Sequence, residues 1–194
     1  MLFDTLTIVG VGLIGGSVGR AVKARGVARR VIGLGRNREF LQLAVELGAL
    51  DAYATEASDT RDSDLTVVCV PVDQIAQIAI DGESYCKPGA IVTDVGSTKA
   101  NIVDAVAGKL KKQVYVGVEH SRPDLFEGKA TIVVPNDADD KAVHKVEAFW
   151  RALGSRTYRM SAEEHDRAMA FTSHLPHGIA AALARVLPPE WLPL

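Results

Sequence analysis

An α/β fold built on a doubly wound, mostly parallel sheet is predicted by three features of this 194-residue chain. Strand-like and helix-like segments alternate along most of its length. The strand-like segments include continuous apolar runs, as expected of strands buried on both faces. The first of them runs directly into three glycines spaced G-x-G-x-x-G and then into an amphipathic helix. Such alternation places helices on both faces of a sheet whose crossovers are right-handed.

Residues 6–10 form the first strand, and Gly10, Gly12 and Gly15 follow it. In a turn of this kind the first glycine permits the tight bend and the second lets the backbone approach a pyrophosphate. The third lets helix and strand pack with no Cβ between them. The N–H groups at the helix start, around Leu13 and Ile14, are then available to phosphate oxygens. A Rossmann-like dinucleotide site is the expectation; glycines in turns that bind nothing are the plain alternative.

The helix over residues 13–24 puts Ile14, Val18, Ala21 and Val22 on one face. A strand at 30–34 and a helix at about 37–47, stopped by Gly48, come next. An apolar strand at 65–70 leads to a helix at 72–80, and a strand at 90–94 to a helix at 98–110. Strands at 114–118 and 131–134 flank a polar loop, a helix at 139–153 is closed by Gly154, and 156–159 is a short final strand.

The pattern changes at Met160-Ser161. Ser161 followed by Glu163 and Glu164 marks a helix N-terminus. From there to Leu187 the chain reads as helical, interrupted near Pro176, before Pro188, Pro189 and Pro193. The expected division is a dinucleotide-binding domain over 1–160 and the start of an all-helical domain over 161–194. Leu175, Ile179, Leu183, Val186 and Leu187 give the helical piece an apolar surface that needs a partner. Homodimerisation is favoured over packing back on the first domain.

A formal net charge of −2 with both signs interspersed gives no electrostatic footprint for nucleic acid or a polybasic membrane contact. The chain is long enough to bury a sizeable core. Two cysteines, Cys69 and Cys86, form neither a disulfide framework nor a metal-ligand spacing. No apolar run approaches membrane-spanning length and the N-terminus has no basic leader, so a cytoplasmic protein acting on a small molecule is expected.

The residue that discriminates between nucleotides belongs about twenty positions beyond the last motif glycine, at the end of the second strand. Gly35, Arg36, Asn37 and Arg38 stand there, with no acidic side chain to take ribose hydroxyls. Room beside arginine forks suits a 2′-phosphate, so NADP is favoured over NAD. A solvated arginine at a helix start is the alternative.

Ligands in open α/β sheets sit beyond the carboxyl ends of the strands. One such end, Val70-Pro71, turns sharply where backbone groups would touch a nicotinamide. Another, Asp94-Val95-Gly96-Ser97-Thr98-Lys99, offers hydroxyls and N–H groups, although Ser97 or Thr98 would equally serve as an ordinary N-cap. Ser173 and His177, four apart, share a helix face if the helix tolerates Pro176.

Taken together, GVGLIGGS, VCVPVD, TDVGSTK, DLFEGK followed by a strand ending in proline, and EEHD…TSHLPH resemble the prephenate and arogenate (cyclohexadienyl) dehydrogenases of tyrosine biosynthesis. The resemblance covers nearly the whole chain. It implies oxidation of a ring C4 hydroxyl by hydride transfer to NAD(P)⁺, with loss of the C1 carboxylate and aromatisation. Prephenate would give 4-hydroxyphenylpyruvate and arogenate would give tyrosine. It also implies a helical, dimerising second domain, with Ser97 near the substrate hydroxyl and nicotinamide, and Ser173 and His177 orienting the substrate.

Relatives carry a His-Pro segment, whose histidine is the general base, after the strand that here ends at Val116-Gly117. In this chain Gly117 leads directly to Val118-Glu119-His120, and His120 aligns with the segment downstream of that motif. His120 is therefore a doubtful base. The family's later helices, with an arginine for a substrate carboxylate, are not matched either, and Arg185 does not occupy that position. A longer protein shown without its mobile segments is favoured over a degenerate polypeptide. Two rival functions stay open: a catalytically silent NADP-binding module, and another Rossmann reductase acting on a β-hydroxyacid or an imine.

Overall fold

The computed structural model describes residues 1–111, 113–120 and 126–187, with the side chains of Glu119 and His120 outside that description. Among the described residues eight strands make one sheet: β1 (Phe3–Val9), β2 (Ala28–Leu34), β3 (Ala52–Ala54), β4 (Leu65–Val68), β5 (Ile91–Asp94), β6 (Val114–His120), β7 (Ala130–Val134) and β8 (Arg156–Arg159). Their spatial order is β3-β2-β1-β4-β5-β6-β7-β8. All pairings from β3 to β6 are parallel, β7 runs antiparallel to β6, and β8 is parallel to β7. This is the Rossmann-like order, with the strand sequence reversing beside β1, where β1 pairs with both β2 and β4.

The helices are α1 (Leu13–Ala24), α2 (Arg38–Glu46), α3 (Val72–Gly82), α4 (Ala100–Val106), α5 (Asp140–Ala152), α6 (Ala162–Met169) and α7 (Leu175–Val186). They divide between the two faces of the sheet. Val18 and Val22 of α1 and Val143, Val146, Phe149 and Trp150 of α5 join Leu6, Ile8 and Val116 in one core. Phe149 and Trp150 meet edge to face at 5.2 Å, an arrangement favoured by the ring quadrupoles. Ile75 and Ala79 of α3 and Ile102 and Val106 of α4 pack with Val68, Val92 and Tyr115 in a second core. Removing large side chains such as these from water is worth about 1.5–3 kcal/mol each, which is what holds the layers together.

Several expectations need correction. The strand expected at 65–70 ends at Val68, because Pro71 follows and the chain must turn into α3. The helix expected at 98–110 is only Ala100–Val106, ended by Gly108 in the left-handed region at φ +68°. Strand β3 was not foreseen. It has three residues, lies at the sheet edge, and its Ala-Tyr-Ala run is too short to signal a strand.

Pro176 does not interrupt the helical segment. A π-helical turn, Ala170–His174, joins α6 to α7 without a break, and the proline sits in the first turn of α7. A wider turn accommodates a ring that would otherwise press on the carbonyl four residues back. Ser161 caps α6 as expected: its Oγ accepts from the Glu164 N–H at 3.1 Å, while Glu164 Oε2 accepts from the Ser161 N–H at 3.0 Å. Phe171, Leu175, Ile179, Leu183 and Val186 are exposed. Residues 188–194, with the three prolines expected to end the helix, lie outside the described part. Among the described residues no helix is long and apolar enough to cross a membrane.

Candidate active site

The three motif glycines differ in what surrounds them. Gly10 leaves β1 at φ +85°, and a Cβ there would stand 2.5 Å from the Cys69 carbonyl oxygen. A Cβ on Gly15 would collide with the Gly10 carbonyl oxygen and press on Ile8 at 3.0 Å. A Cβ on Gly12 would meet nothing within 4 Å. The first and third glycines are therefore demanded by packing, whereas the second leaves space open. Helix α1 starts beyond Gly12 with no side-chain cap and no acidic residue in its first turn. Its positive end is thus left to whatever occupies the cleft beside it.

That cleft, of about 740 Å³ in all, opens at the carboxyl ends of β1, β2 and β4 and continues past α3 to Ser63 and Gln113, beside the amino ends of β4 and β6. Gly10, Gly12, Arg36, Asn37, Val70 and Pro71 all line it. Arg36 is exposed at the rim, on the β2 side. Asn37 has a second task, since its Oδ1 caps α2 by accepting from the Phe40 N–H at 3.1 Å. Leu13 is exposed, Ile14 packs partly against the core and Gly15 is buried, and none of the three lines the cleft. Cys69, half-buried, lines it too, and burial with the nearby Asp94 charge pushes its thiol up, which disfavours the thiolate.

The loop after β5 is braced from beneath by buried charge. Lys99 and Asp94 are both entirely buried, with Lys99 Nζ 2.7 Å from Asp94 Oδ2. The same ammonium donates to the Gly96 carbonyl at 2.5 Å. Asp94 also accepts from the Gly96 N–H at 2.8 Å, the Tyr115 hydroxyl at 2.8 Å and the Val118 N–H at 3.2 Å. A buried carboxylate needs this many partners. Burial, and then the Asp94 charge and hydrogen bond, push the Tyr115 phenol well above its ordinary value, so it stays a donor.

Ser97 rides exposed on top of this network. The N-cap position of α4 is Lys99, and no side chain there provides the cap. The cap comes instead from Asp166 on α6. Its Oδ1 accepts from the Lys99 N–H at 2.7 Å and its Oδ2 from the Ala100 N–H at 2.9 Å. His165, fully buried, donates from Nδ1 to Asp166 Oδ1 at 2.7 Å. Burial raises the Asp166 carboxyl, but the Ala100 N–H, the His165 ring and the Lys99 N–H outweigh it and hold it below the usual value.

Ser173 lies within the π turn Ala170–His174 and is half-buried, while His177 is exposed one turn on. They are joined, though not through the hydroxyl: His177 Nδ1 donates to the Ser173 carbonyl at 2.7 Å. That bond leaves Nε2 as the outward-facing nitrogen. Ser97, Ser173 and His177 do not line the cleft that holds the glycine turn. His120 is the last residue of β6, paired with Thr131, and its side chain lies outside the described residues.

Sequence reasoning missed the roles of Asp94, Lys99, Tyr115, His165 and Asp166. Asp94 and Lys99 stood within the TDVGSTK run and His165-Asp166 within EEHD, yet nothing in their spacing ties the two runs together.

Residues 18–159 match the family described as prephenate dehydrogenase, nucleotide-binding domain, and residues 161–190 the one described as prephenate dehydrogenase, dimerization domain. The chain is 32% identical to the cyclohexadienyl dehydrogenase of Zymomonas mobilis, over 94% of this chain and 67% of that protein. Other curated relatives are spanned over only about half of their length. The crystal structure of prephenate dehydrogenase from A. aeolicus, in complex with hydroxyphenyl propionate and NAD⁺, superposes with a TM-score of 0.86 at 30% identity, covering 96% of this chain and 71% of that one. Synechocystis arogenate dehydrogenase superposes with a TM-score of 0.83 at 25% identity, over 93% and 68% of the two chains.

Proposed function

Because the chain belongs to the prephenate dehydrogenase family, we propose that it serves the oxidative decarboxylation of a cyclohexadienyl substrate, prephenate or arogenate, with NADP⁺ preferred over NAD⁺. The observation that carries this is the glycine turn. Gly12 opens into a cleft of about 740 Å³ at the uncapped start of α1, which suits the pyrophosphate of a dinucleotide. When bound, such a cofactor supplies a hydride acceptor.

The protein's own residues would bind and align. Gly10, Gly12, Leu13, Ile14 and Gly15 form the phosphate turn, Val70 and Pro71 border the nicotinamide, and Arg36 with Asn37 faces the adenosine ribose. Arg36 at the rim of the cleft supports NADP⁺, since a guanidinium pairs with a 2′-phosphate. Ser97 holds the substrate hydroxyl, and Ser173 and His177 orient the ring. Loss of the ring hydride and of carbon dioxide leaves an aromatic product, so alignment at the reacting carbon is the main demand on the protein. Residues 1–160 form the cofactor domain, and from 161 the chain enters a helical domain that dimerises through the exposed face of α7. A homodimer would cover Leu175, Ile179 and Leu183.

The test is an absorbance assay of the purified protein with prephenate and with arogenate, each with NAD⁺ and NADP⁺. Turnover of one ring substrate, faster with NADP⁺, is the expected result. Replacing Arg36 by Ala should lower affinity for NADP⁺ about tenfold or more while leaving NAD⁺ nearly unchanged. Tight cofactor binding without turnover of either substrate would point to a silent nucleotide-binding module.

A further inference from the structure

The caps of the helices differ in origin. Asn37, Asp139 and Ser161 each cap α2, α5 and α6 from three residues away, through a local hydrogen bond. Helix α4 instead takes its cap from Asp166, 66 residues beyond Ala100. Two hydroxyl residues suited to capping, Ser97 and Thr98, immediately precede the N-cap position. A cap imported across the chain leaves Ser97 exposed, on a loop whose ends are fixed.

The fixing is bilateral. Below, Lys99 Nζ and Asp94 Oδ2 hold both polar groups of Gly96 through the 2.5 Å and 2.8 Å bonds. From the side, both Asp166 oxygens grip the two successive N–H groups that follow Thr98. The fully buried His165 ring in turn holds Asp166 Oδ1. Ser97 sits between the two clamps.

We infer that Asp166, buttressed by His165, is a positioning residue: it sets the Ser97 loop for hydride transfer and makes that setting depend on the helical segment being docked. The inference rests on the reading of Ser97 as the residue that holds the substrate hydroxyl. Apart from His165, the Asp166 carboxylate is spent on two backbone N–H groups, so its effect is on alignment rather than on substrate affinity. A misplacement of about 1 Å at a reacting pair costs on the order of a hundredfold in rate.

The experiment compares the intact protein with its Asp166→Asn and Asp166→Ala variants in two ways. The first is kinetic, using substrate carrying deuterium at the ring carbon that bears the hydroxyl. In Asp166→Ala, kcat should fall about tenfold or more, KM for the cofactor should stay within about twofold, and the deuterium isotope effect should rise. Asp166→Asn keeps one good acceptor and should recover part of the rate. A fall in kcat that merely tracks the folded fraction, with an unchanged isotope effect, would overturn the inference.

The second measurement is amide hydrogen exchange, which needs no turnover. The Lys99 and Ala100 amides should exchange about tenfold faster in either variant while those of β5 keep their protection. Unchanged exchange at these two amides would also overturn the inference. If Asp166→Ala does not fold, Asp166→Asn carries both measurements. Failure of the wild-type protein to use either ring substrate would refute the proposed function, and exchange would still decide whether Asp166 holds the loop.

Discussion

The carbonyl oxygen of Cys69 lies 2.5 Å from the point where a Cβ on Gly10 would stand. Strands β1 and β4 are so close at their carboxyl ends that only a glycine fits between them, and Gly10 is also at φ +85°. Gly12 has neither constraint. Gly10→Ala is therefore expected to lower unfolding stability by about 2–4 kcal/mol, from the left-handed backbone and the overlap together. Gly12→Ala should cost no more than about 1 kcal/mol yet weaken cofactor binding at least tenfold, because its methyl enters the phosphate turn. Urea unfolding and cofactor titration of both variants separate the two roles.

The buried ion pair beneath Ser97 makes a different prediction. Removing one partner strands the other charge in the core, so Lys99→Met should cost about 3–5 kcal/mol. Asp94→Asn combined with Lys99→Met should cost clearly less than the sum of the two single changes, since neither charge is then left alone. Tyr115→Phe, which deletes one hydrogen bond to the carboxylate, should cost about 1.5–3 kcal/mol. Chemical denaturation of the four variants gives the coupling directly.

Acid should unfold the protein through identifiable carboxyls. Asp51 is raised by burial but lowered more by the Lys23 ammonium and the Val31 N–H. Asp64 is likewise raised by burial and lowered more by Lys87 and the Thr5 and Asp4 N–H groups. Asp166 behaves in the same way. Their folded forms bind protons less readily than the unfolded chain, whose aspartates titrate near about 3.9. The stability they contribute is therefore complete above about pH 5 and is lost as pH falls through about 4 toward the lower folded values. Thermal melts between pH 7 and pH 3 should show this, with a shallower acid limb in Asp51→Asn. An acid limb unaffected by that substitution would remove Asp51 from the set.

Cys69 should resist alkylation. Its thiol is pushed far above the ordinary value by burial and then by Asp94. Treatment with iodoacetamide at pH 8 should leave Cys69 unmodified in the folded protein and label it after denaturation, as read by peptide mass. Rapid labelling of the native protein would mean that the thiol is reachable and ionised.

Much of this architecture was legible in the amino acids. The glycine run, the apolar strands β4 and β5 and the capping pair Ser161-Glu164 are local signals, set by residues within a turn of one another. Where the physics is not local, the pattern said little. β3 is held by pairing with β2 rather than by its own Ala-Tyr-Ala composition. Lys99 is a charged residue in a loop, and only the fold reveals that it points inward to Asp94. The grip of Asp166 on Lys99 spans 67 positions, a distance at which spacing carries no information. The exposed Ser97 was visible as a hydroxyl after a strand, but not the frame that keeps it from capping its own helix.

The π turn between α6 and α7 sets a phase. From Ala162 to Val186 the helical segment is unbroken, so whatever lies beyond the turn is oriented by it. Each residue of an α-helix advances about 100° around the axis. The wider turn at Ala170–His174 takes in extra residues without completing a proportionate rotation, and so dials the face bearing Ser173 and His177 to a new angle relative to Asp166. One end of the rod is anchored on α4, and the stretch just past the turn carries a histidine whose compass bearing is fixed by residue count. Loss of a single residue within that turn would leave every side chain of α7 chemically intact and aim all of them elsewhere.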